Sequence, residues 1–335
     1  CENGEYRYSS LGNPSLFKII HDHEPHSNLT VSQILIESSN IGIFKIADIV
    51  GGPSVYKFSK KFGFGTKTGV ELPNESAGSL KSFDRWDWLS NNSISIGQEM
   101  SATTLQTALA YAVIANGGYL IKPTVVSQIE NNELQKSNVV RRVIHQHTAN
   151  KMIDVLVDAV ANGTGTNASI DGYAIAGKTG TAEKFIDGSY SKNEFISSFA
   201  SFFPAYNPKY VLVINVDSPK YGYHWGNEAA GRITRGILNK IIANDPDIHP
   251  KLDIKNNIAN DSKETTEYIV NEVDSYGELM PNFKGKTLKE ALIQAKRIGI
   301  IVEPYGYSGK IVWQSAPAGS DLFNNPICKV KLENS

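Results

Sequence analysis

The chain has 335 residues, of which 41% are hydrophobic, 20% charged and 10% aromatic, enough apolar material for a packed core and too much for a disordered chain. With 33 Lys+Arg against 34 Asp+Glu the formal charge is −1, which excludes nucleic-acid recognition through a general basic field. Two cysteines, at positions 1 and 328, exclude a disulfide framework and a cysteine-based zinc site, and no apolar run approaches the ~18 residues that a membrane span needs.

Residues 1–26 are polar and broken by Gly4, Gly12, Pro14 and Pro25, and read as a loop with short extended pieces. His21, His23 and His26, with Asp22 and Glu24, are of metal-ligating types, but in such a loop they read as solvated side chains. A helix signal follows in Thr30-Val31-Ser32-Gln33, the T-x-x-Q form of a capping box. Apolar residues recur at Val31, Ile34, Ile36, Ile41, Ile43, Ile46 and Ile49, up to Gly51-Gly52. The polar triplet Ser38-Ser39-Asn40 interrupts them, and alone it reads as a helix break whose Ser and Asn cap the second segment. A second box, Thr103 to Gln106, opens an Ala-rich helix that stops at Asn116-Gly117-Gly118, and a third helix is predicted from Thr148 to about Ala161.

Strands are predicted next. Tyr173–Ala176 leads into Gly177-Lys178-Thr179-Gly180-Thr181, and Phe195–Phe203 and Tyr210–Val216 form a hairpin across the turn residues Pro204, Asn207 and Pro208. A closing helix from about Glu228 to Ala243 places Ile233, Ile237, Leu238, Ile241 and Ile242 on one face. Helices, then an antiparallel sheet, then a helix is an α+β order rather than repeating βαβ. The composition then turns polar, and the chain divides into residues 1–245, a solvated linker over 246–278 and a small unit over 279–335. The small unit has a capping box at Thr287-Leu288-Lys289-Glu290, a helix ending near Gly299, and strand-like runs Ile300–Val302, Lys310–Gln314 and Ile327–Leu332.

Ala176-Gly177-Lys178-Thr179-Gly180-Thr181-Ala182 has the chemistry of a binding strand. Glycine lets a ligand approach the backbone, a strand edge offers N–H and C=O groups, and a Lys beside a hydroxyl suits a carboxylate. K-T-G alone is weak, since it recurs at Lys67-Thr68-Gly69 with no strand before it. S-x-N at Ser38-Ser39-Asn40 followed by K-T-G at Lys178-Thr179-Gly180 is a stronger pair, because both belong to penicillin-binding proteins and serine β-lactamases. With Cys1-Glu2-Asn3-Gly4, Leu29-Thr30-Val31, Gly97-Gln98-Glu99, Thr104-Leu105-Gln106, Ala115-Asn116-Gly117-Gly118 and Gly163-Thr164-Gly165, residues 1–243 resemble class B penicillin-binding proteins, the monofunctional transpeptidases of peptidoglycan synthesis. Met280-Pro281-Asn282-Phe283-Lys284-Gly285-Lys286-Thr287-Leu288 and Gln314-Ser315-Ala316-Pro317-Ala318-Gly319 resemble a PASTA domain.

The resemblance implies a penicillin-binding transpeptidase fold, a helical cluster against an antiparallel sheet, with a PASTA domain of one helix on a three-stranded sheet. It implies acyl transfer: a serine attacks the penultimate D-Ala carbonyl of a stem peptide, and the acyl-enzyme passes to a neighbouring amine. Ser38 would relay a proton to the leaving amine, Asn40 would position the substrate amide and the catalytic Lys, and Lys178 and Thr179 would hold the carboxylate region. Gly180 would permit close approach, and the N–H of Thr181 would supply half of an oxyanion hole. Neither metal nor organic cofactor is implied, and β-lactams would acylate the same serine.

The family's third element, S-x-x-K, is matched by Ser15-Leu16-Phe17-Lys18, in a poor helix after Pro14, by Ser54-Val55-Tyr56-Lys57, which follows S-x-N where the family's nucleophile precedes it, and by Ser189-Tyr190-Ser191-Lys192, which comes later still, after K-T-G. The expectation is therefore that the nucleophilic serine and its lysine lie upstream of Cys1 and outside this chain. Expected partners are peptidoglycan stem peptides, β-lactams and, in the full-length parent, a membrane-embedded glycosyltransferase and other cell-wall assembly proteins, with no nucleic acid. The expected location is the outer face of the cytoplasmic membrane, behind an N-terminal anchor. Two other classes stay open: a non-catalytic penicillin- or peptidoglycan-binding sensor, and a serine β-lactamase, against which the linker and small unit speak.

Overall fold

The stretch that reads as a loop at the start of the sequence is an antiparallel hairpin of β1 (Glu5–Ser10) and β2 (Asn13–His21), with Tyr6 opposite Ile20 and Tyr8 opposite Lys18. The difference has a physical reason. Both strands are edges, where Pro14 is tolerated, and Leu16 and Phe17 face solvent, so no continuous apolar run marks them. The computed structural model describes residues 1–10, 13–126, 128–129, 132–133, 139–220, 225–249, 280–298, 301–305, 309–320 and 327–333. They fall into two compact units, Cys1–Ile254 and Lys255–Ser335.

In the larger unit Thr30 caps α1 (Val31–Ile36) as its T-x-x-Q spacing predicts: the Gln33 N–H donates to Thr30 Oγ1 at 3.3 Å, and the Thr30 N–H to Gln33 Oε1 at 2.9 Å. Ser39 caps α2 (Asn40–Val50), accepting from the Gly42 N–H at 2.9 Å. Gly51 has φ +79° and turns the chain into α3 (Gly52–Lys61). The hairpin lies on α2, where Ile20, Ile41 and Phe44 form a buried cluster with Tyr6 and Tyr8 against it. Val31 and Ile49, apolar in the sequence pattern, are exposed. α4 (Ser90–Ser95) locks onto α2 through the buried Asn92, whose Nδ2 donates to Phe44 O and Asp48 Oδ1, each at 2.9 Å.

The second capping box opens α5 (Thr104–Ala115), and buried Gln106 joins three segments by donating to Thr66 O and Ala77 O, each at 2.8 Å. α6 (Gln146–Ala161) begins two residues before its predicted start. The sheet is antiparallel in the order β5–β4–β3, with β3 (Ala176–Ile186), β4 (Ser189–Phe203) and β5 (Tyr210–Asp217). Tyr173 forms only an isolated bridge with Ile170, so the strand begins at Ala176 and carries the Lys-Thr motif within it. A turn of π-helix over Asn227–Gly231 precedes α7 (Arg232–Asn244), whose Leu238 is fully buried while Ile233 is turned to solvent. Phe199, Phe203, Val160 and Leu238 build the core between α6, the sheet and α7. Ile248 is buried in the same cluster, so packing continues past the sequence-derived boundary at 245. The rest of the predicted linker, over 250–278, lies outside the described residues.

The smaller unit packs α8 (Leu288–Ile298) on a sheet of order β6–β8–β7, with β6 (Ile301–Tyr305), β7 (Lys310–Gln314) and β8 (Ile327–Glu333). β6 and β8 are parallel, and β7 runs antiparallel to β8. Met280, Phe283, Ala291, Ile311, Cys328 and Val330 form its core. The predicted helix end at Gly299 falls on residues that are not described.

Candidate active site

The polar triplet that interrupts the apolar pattern is the turn between α1 and α2. Ser39 and Ser38 close α1, their N–H groups donating to Ile34 O at 3.0 Å and to Leu35 O at 3.4 Å. Ser38 has φ +60°, a left-handed conformation that costs a residue with a Cβ about 1–3 kcal/mol and is characteristic of functional turns. Its side chain is exposed, whereas Ser39 is buried. Asn40 opens α2 with its side chain exposed, and its Nδ2 donates to His21 O at 3.1 Å. Two of the three polar residues therefore face outward from a rigid break, held through the third.

Lys178, Thr179, Gly180 and Thr181 follow one another along β3, the edge strand, opposite Ala200, Phe199, Ser198 and Ser197 of β4. An edge strand presents unpaired backbone groups to an extended peptide. The Lys178 Nζ donates to Thr164 Oγ1 at 2.8 Å and to Thr179 Oγ1 at 3.2 Å, and the two hydroxyl oxygens are 2.9 Å apart. Burial of the ammonium pulls the Lys178 pKa down from 10.5 to about 8, and the nearby Glu37 carboxylate acts in the opposite direction. Lys178 is thus a half-buried cation hydrogen-bonded to neutral hydroxyls.

Thr164 and Glu37 join the two motifs. The Thr164 N–H donates to Ile36 O at 3.4 Å, two residues before Ser38, while its hydroxyl contacts Lys178 and Thr179. Gly163 permits this approach, since a Cβ there would stand 2.6 Å from Ile36 O. The sequence places Thr164 only inside a Gly-Thr-Gly turn after a helix, and Glu37 only beside the serine pair, so neither is marked as a site residue before the fold brings them to Lys178.

The far end of the strand motif is covered by the start of the last helical segment. The Gly226 N–H donates to Thr181 Oγ1 at 3.0 Å, and a Cβ at Gly226 would lie 2.6 Å from both Gly180 O and Ser198 O. A Cβ at Gly180 would meet Ser198 Oγ at 2.4 Å, so a side chain there would have to turn the Ser198 hydroxyl away from Gly180 O, to which it donates at 3.2 Å. Trp225 accepts from Ser197 Oγ through its carbonyl at 3.0 Å, and its ring lies 4.2 Å from that of His23, centroid to centroid.

The other sequence candidates lie on other elements. Ser15 and Lys18 are on β2, where residues three apart point to opposite faces. Ser54 and Lys57 are on α3, whose Tyr56 packs against Phe83 and Trp86. The second K-T-G copy is a turn around Glu75, whose Oε1 accepts from the Thr68 N–H and hydroxyl, each at 2.6 Å, and whose Oε2 accepts from the Gly69 N–H at 3.1 Å.

An S-x-N helix break beside a K-T-G edge strand, on helices packed against an antiparallel sheet, defines the fold of a penicillin-recognising transpeptidase domain. The chain belongs to the penicillin binding protein transpeptidase domain family, whose model matches residues 7–241. It is 30% identical over 313 residues to stage V sporulation protein D of Bacillus subtilis, an alignment covering 92% of this chain and 46% of that protein. It is 30% identical over 225 residues to the probable peptidoglycan D,D-transpeptidase PenA of Neisseria meningitidis, covering 66% of this chain and 38% of that protein. The chain therefore spans less than half the length of these curated relatives. Among solved structures it is similar to the TP domain of Burkholderia pseudomallei penicillin-binding protein 3, with TM-score 0.65 and 28% identity over 75% of this chain and 73% of that one. It is also similar to penicillin-binding protein 3 of Mycobacterium tuberculosis complexed with ampicillin, with TM-score 0.65 and 28% identity over 76% of this chain and 59% of that one.

Proposed function

We propose that this chain is part of a D,D-transpeptidase that cross-links peptidoglycan stem peptides through a serine acyl-enzyme, and that its larger unit supplies the carboxylate-binding and proton-relay side of the site. The observation that carries the reading is the half-buried Lys178 ammonium, hydrogen-bonded to Thr164 and Thr179 on an edge strand and tied through Ile36 to the Ser38 turn. A peptide laid along β3 brings its C-terminal carboxylate to Lys178 and Thr179, and the Thr181 N–H serves the oxyanion. A serine hydroxyl adds to the penultimate D-Ala carbonyl, the D-Ala–D-Ala amide breaks, and Ser38 relays the proton to the departing amine. Asn40 holds the substrate amide and the nucleophile's lysine. The amine of a second stem peptide then displaces the serine ester.

The nucleophile and its lysine, in this reading, lie outside residues 1–335, because Ser15 and Ser189 stand on strands and Ser54 follows the S-x-N turn. Residues 279–335 act as a PASTA domain, for which one helix over three strands and the Phe283 and Gln314 segments speak. The protein acts at the outer face of the cytoplasmic membrane, alongside a glycosyltransferase and other cell-wall assembly proteins.

Labelling with a fluorescent penicillin tests the function. In a protein that joins these residues to an S-x-x-K helix, a stable covalent label on that serine is expected, slowed at least about 100-fold by Lys178→Ala or Asn40→Ala. Near-normal rates in both variants contradict the assigned site. Rapid loss of the label indicates a β-lactamase, and no label at all a recognition protein.

A further inference from the structure

We infer that Thr164, on the turn after α6, is a positioning residue of this site: it fixes the Lys178 ammonium and the Thr179 hydroxyl and ties both to the Ser38 turn. The inference rests on the functional reading above for its substrate, and on geometry alone for its contacts. Lys178 Nζ, Thr164 Oγ1 and Thr179 Oγ1 form a closed triangle with sides of 2.8, 3.2 and 2.9 Å. An ammonium has three N–H donors, and a hydroxyl has one donor and two acceptor sites. Two of the three ammonium protons go to the two threonines, and the Thr179 hydroxyl donates to Thr164 Oγ1. The triangle leaves one N–H of Lys178 and one threonine O–H unspent: that of Thr164 as the bond stands, or that of Thr179 once it turns to a carboxylate and Thr164 donates to it instead. Two donors side by side are what the two oxygens of a single carboxylate accept.

Without Thr164 the ammonium would keep one hydroxyl partner in a site where burial already disfavours its charge. Thr164 also anchors the triangle. Its N–H is bonded to Ile36 O; on one side Gly163 packs too closely for a Cβ, which would stand 2.6 Å from Ile36 O, and on the other Gly165 is tightly packed, with Ala159 O 3.1 Å from the Cβ position. The hydroxyl is therefore held by a backbone that has little room to move, and it sets the separation of strand motif and serine turn.

The test compares Thr164→Val, which keeps the shape and loses the hydroxyl, with Thr164→Ser, which keeps the hydroxyl and loses the methyl. The first readout is the titration of Lys178 by NMR of lysines carbon-13-labelled at Cε, assigned by the signal lost in Lys178→Arg. Thr164→Val is expected to move the midpoint down by at least about one pH unit, and Thr164→Ser to leave it within a few tenths. The second is binding of diacetyl-L-Lys-D-Ala-D-Ala to the chain, weakened about tenfold or more by Thr164→Val and restored by Thr164→Ser. Should the valine variant not fold, Thr164→Ala takes its place in both readouts. An unchanged Lys178 titration in Thr164→Val, or an equal shift in Thr164→Ser, overturns the inference. Failure of the wild-type chain to bind the peptide instead counts against the functional reading, and the titration still decides the role of Thr164.

Discussion

Asp22 reaches from the residue after β2 to the start of α2, where its Oδ2 accepts from Ser39 Oγ at 2.6 Å and its Oδ1 from the Ile41 N–H at 2.9 Å. The carboxylate stands where the helix leaves N–H groups unpaired and where its partial positive charge favours an anion. Ser39 is only 1% exposed, so the S-x-N turn is anchored by its middle residue while Ser38 and Asn40 stay outward. Asp22→Ala is expected to destabilise the larger unit by about 2 kcal/mol, with a smaller loss for Asp22→Asn, read from urea midpoints. Equal midpoints in all three proteins would remove Asp22 from the account of the turn.

Lys178 sets a pH dependence whose sign follows from its lowered pKa. Below about pH 8 the folded chain carries a half-buried ammonium, at a cost on the order of 3 kcal/mol from the interval between 10.5 and 8. Between pH 8 and 10.5 the folded lysine is neutral while the unfolded one still holds its proton, so the cost fades and this group's contribution to stability rises with pH. Lys178→Met is therefore expected to stabilise the fold at pH 7 and to lose that advantage by pH 10. The proposed carboxylate binding is expected to run the other way, weakening as pH rises through 8. A variant less stable than wild type at pH 7 would contradict the burial argument.

Gly226 makes a close approach to backbone at the end of the strand motif, because its missing Cβ would stand 2.6 Å from two backbone carbonyl oxygens, those of Gly180 and Ser198. Backbone oxygens within a sheet cannot rotate away as a side-chain tip can. Gly226→Ala is expected to cost at least about 2 kcal/mol and to break the bond from the Gly226 N–H to Thr181 Oγ1. Thermal melting and the Thr181 amide shift check it, and wild-type behaviour in both would show that the turn has room to spare.

In the smaller unit Gln314 joins strand and loop from the inside. Its Oε1 accepts from the Phe283 N–H at 2.7 Å, and its Nε2 donates to Pro281 O at 3.0 Å and Ala316 O at 2.7 Å. Truncation leaves buried polar groups without partners, so Gln314→Ala is expected to destabilise this unit by about 3 kcal/mol. Faster hydrogen exchange at the Phe283 amide, with exchange in the larger unit unchanged, is the expected signature; unaltered protection contradicts it.

The parts of this fold visible in sequence are those determined locally. The boxes at Thr30, Thr103 and Thr287 satisfy helix ends with residues three apart, and all three form as predicted. Hairpin β1–β2 was not legible, because its burial comes from α2 rather than from an apolar run of its own. The strand motif and the serine turn were legible as residue types in a given order. What joins them was not: Thr164 gains its role from a hydroxyl brought to Lys178 across 14 residues, and Asp22 from a carboxylate brought to Ser39 across 17. Ser38 shows its strained turn only in the backbone, since Ser is not a residue that advertises a positive φ.

The most direct measurement is calorimetric titration of the chain at pH 7 with diacetyl-L-Lys-D-Ala-D-Ala and with the same peptide as its C-terminal amide. A carboxylate site at Lys178 and Thr179 binds the free acid, binds the amide at least about tenfold more weakly, and loses that preference in Lys178→Ala. Equal affinity for acid and amide, or an undiminished preference in Lys178→Ala, would contradict it.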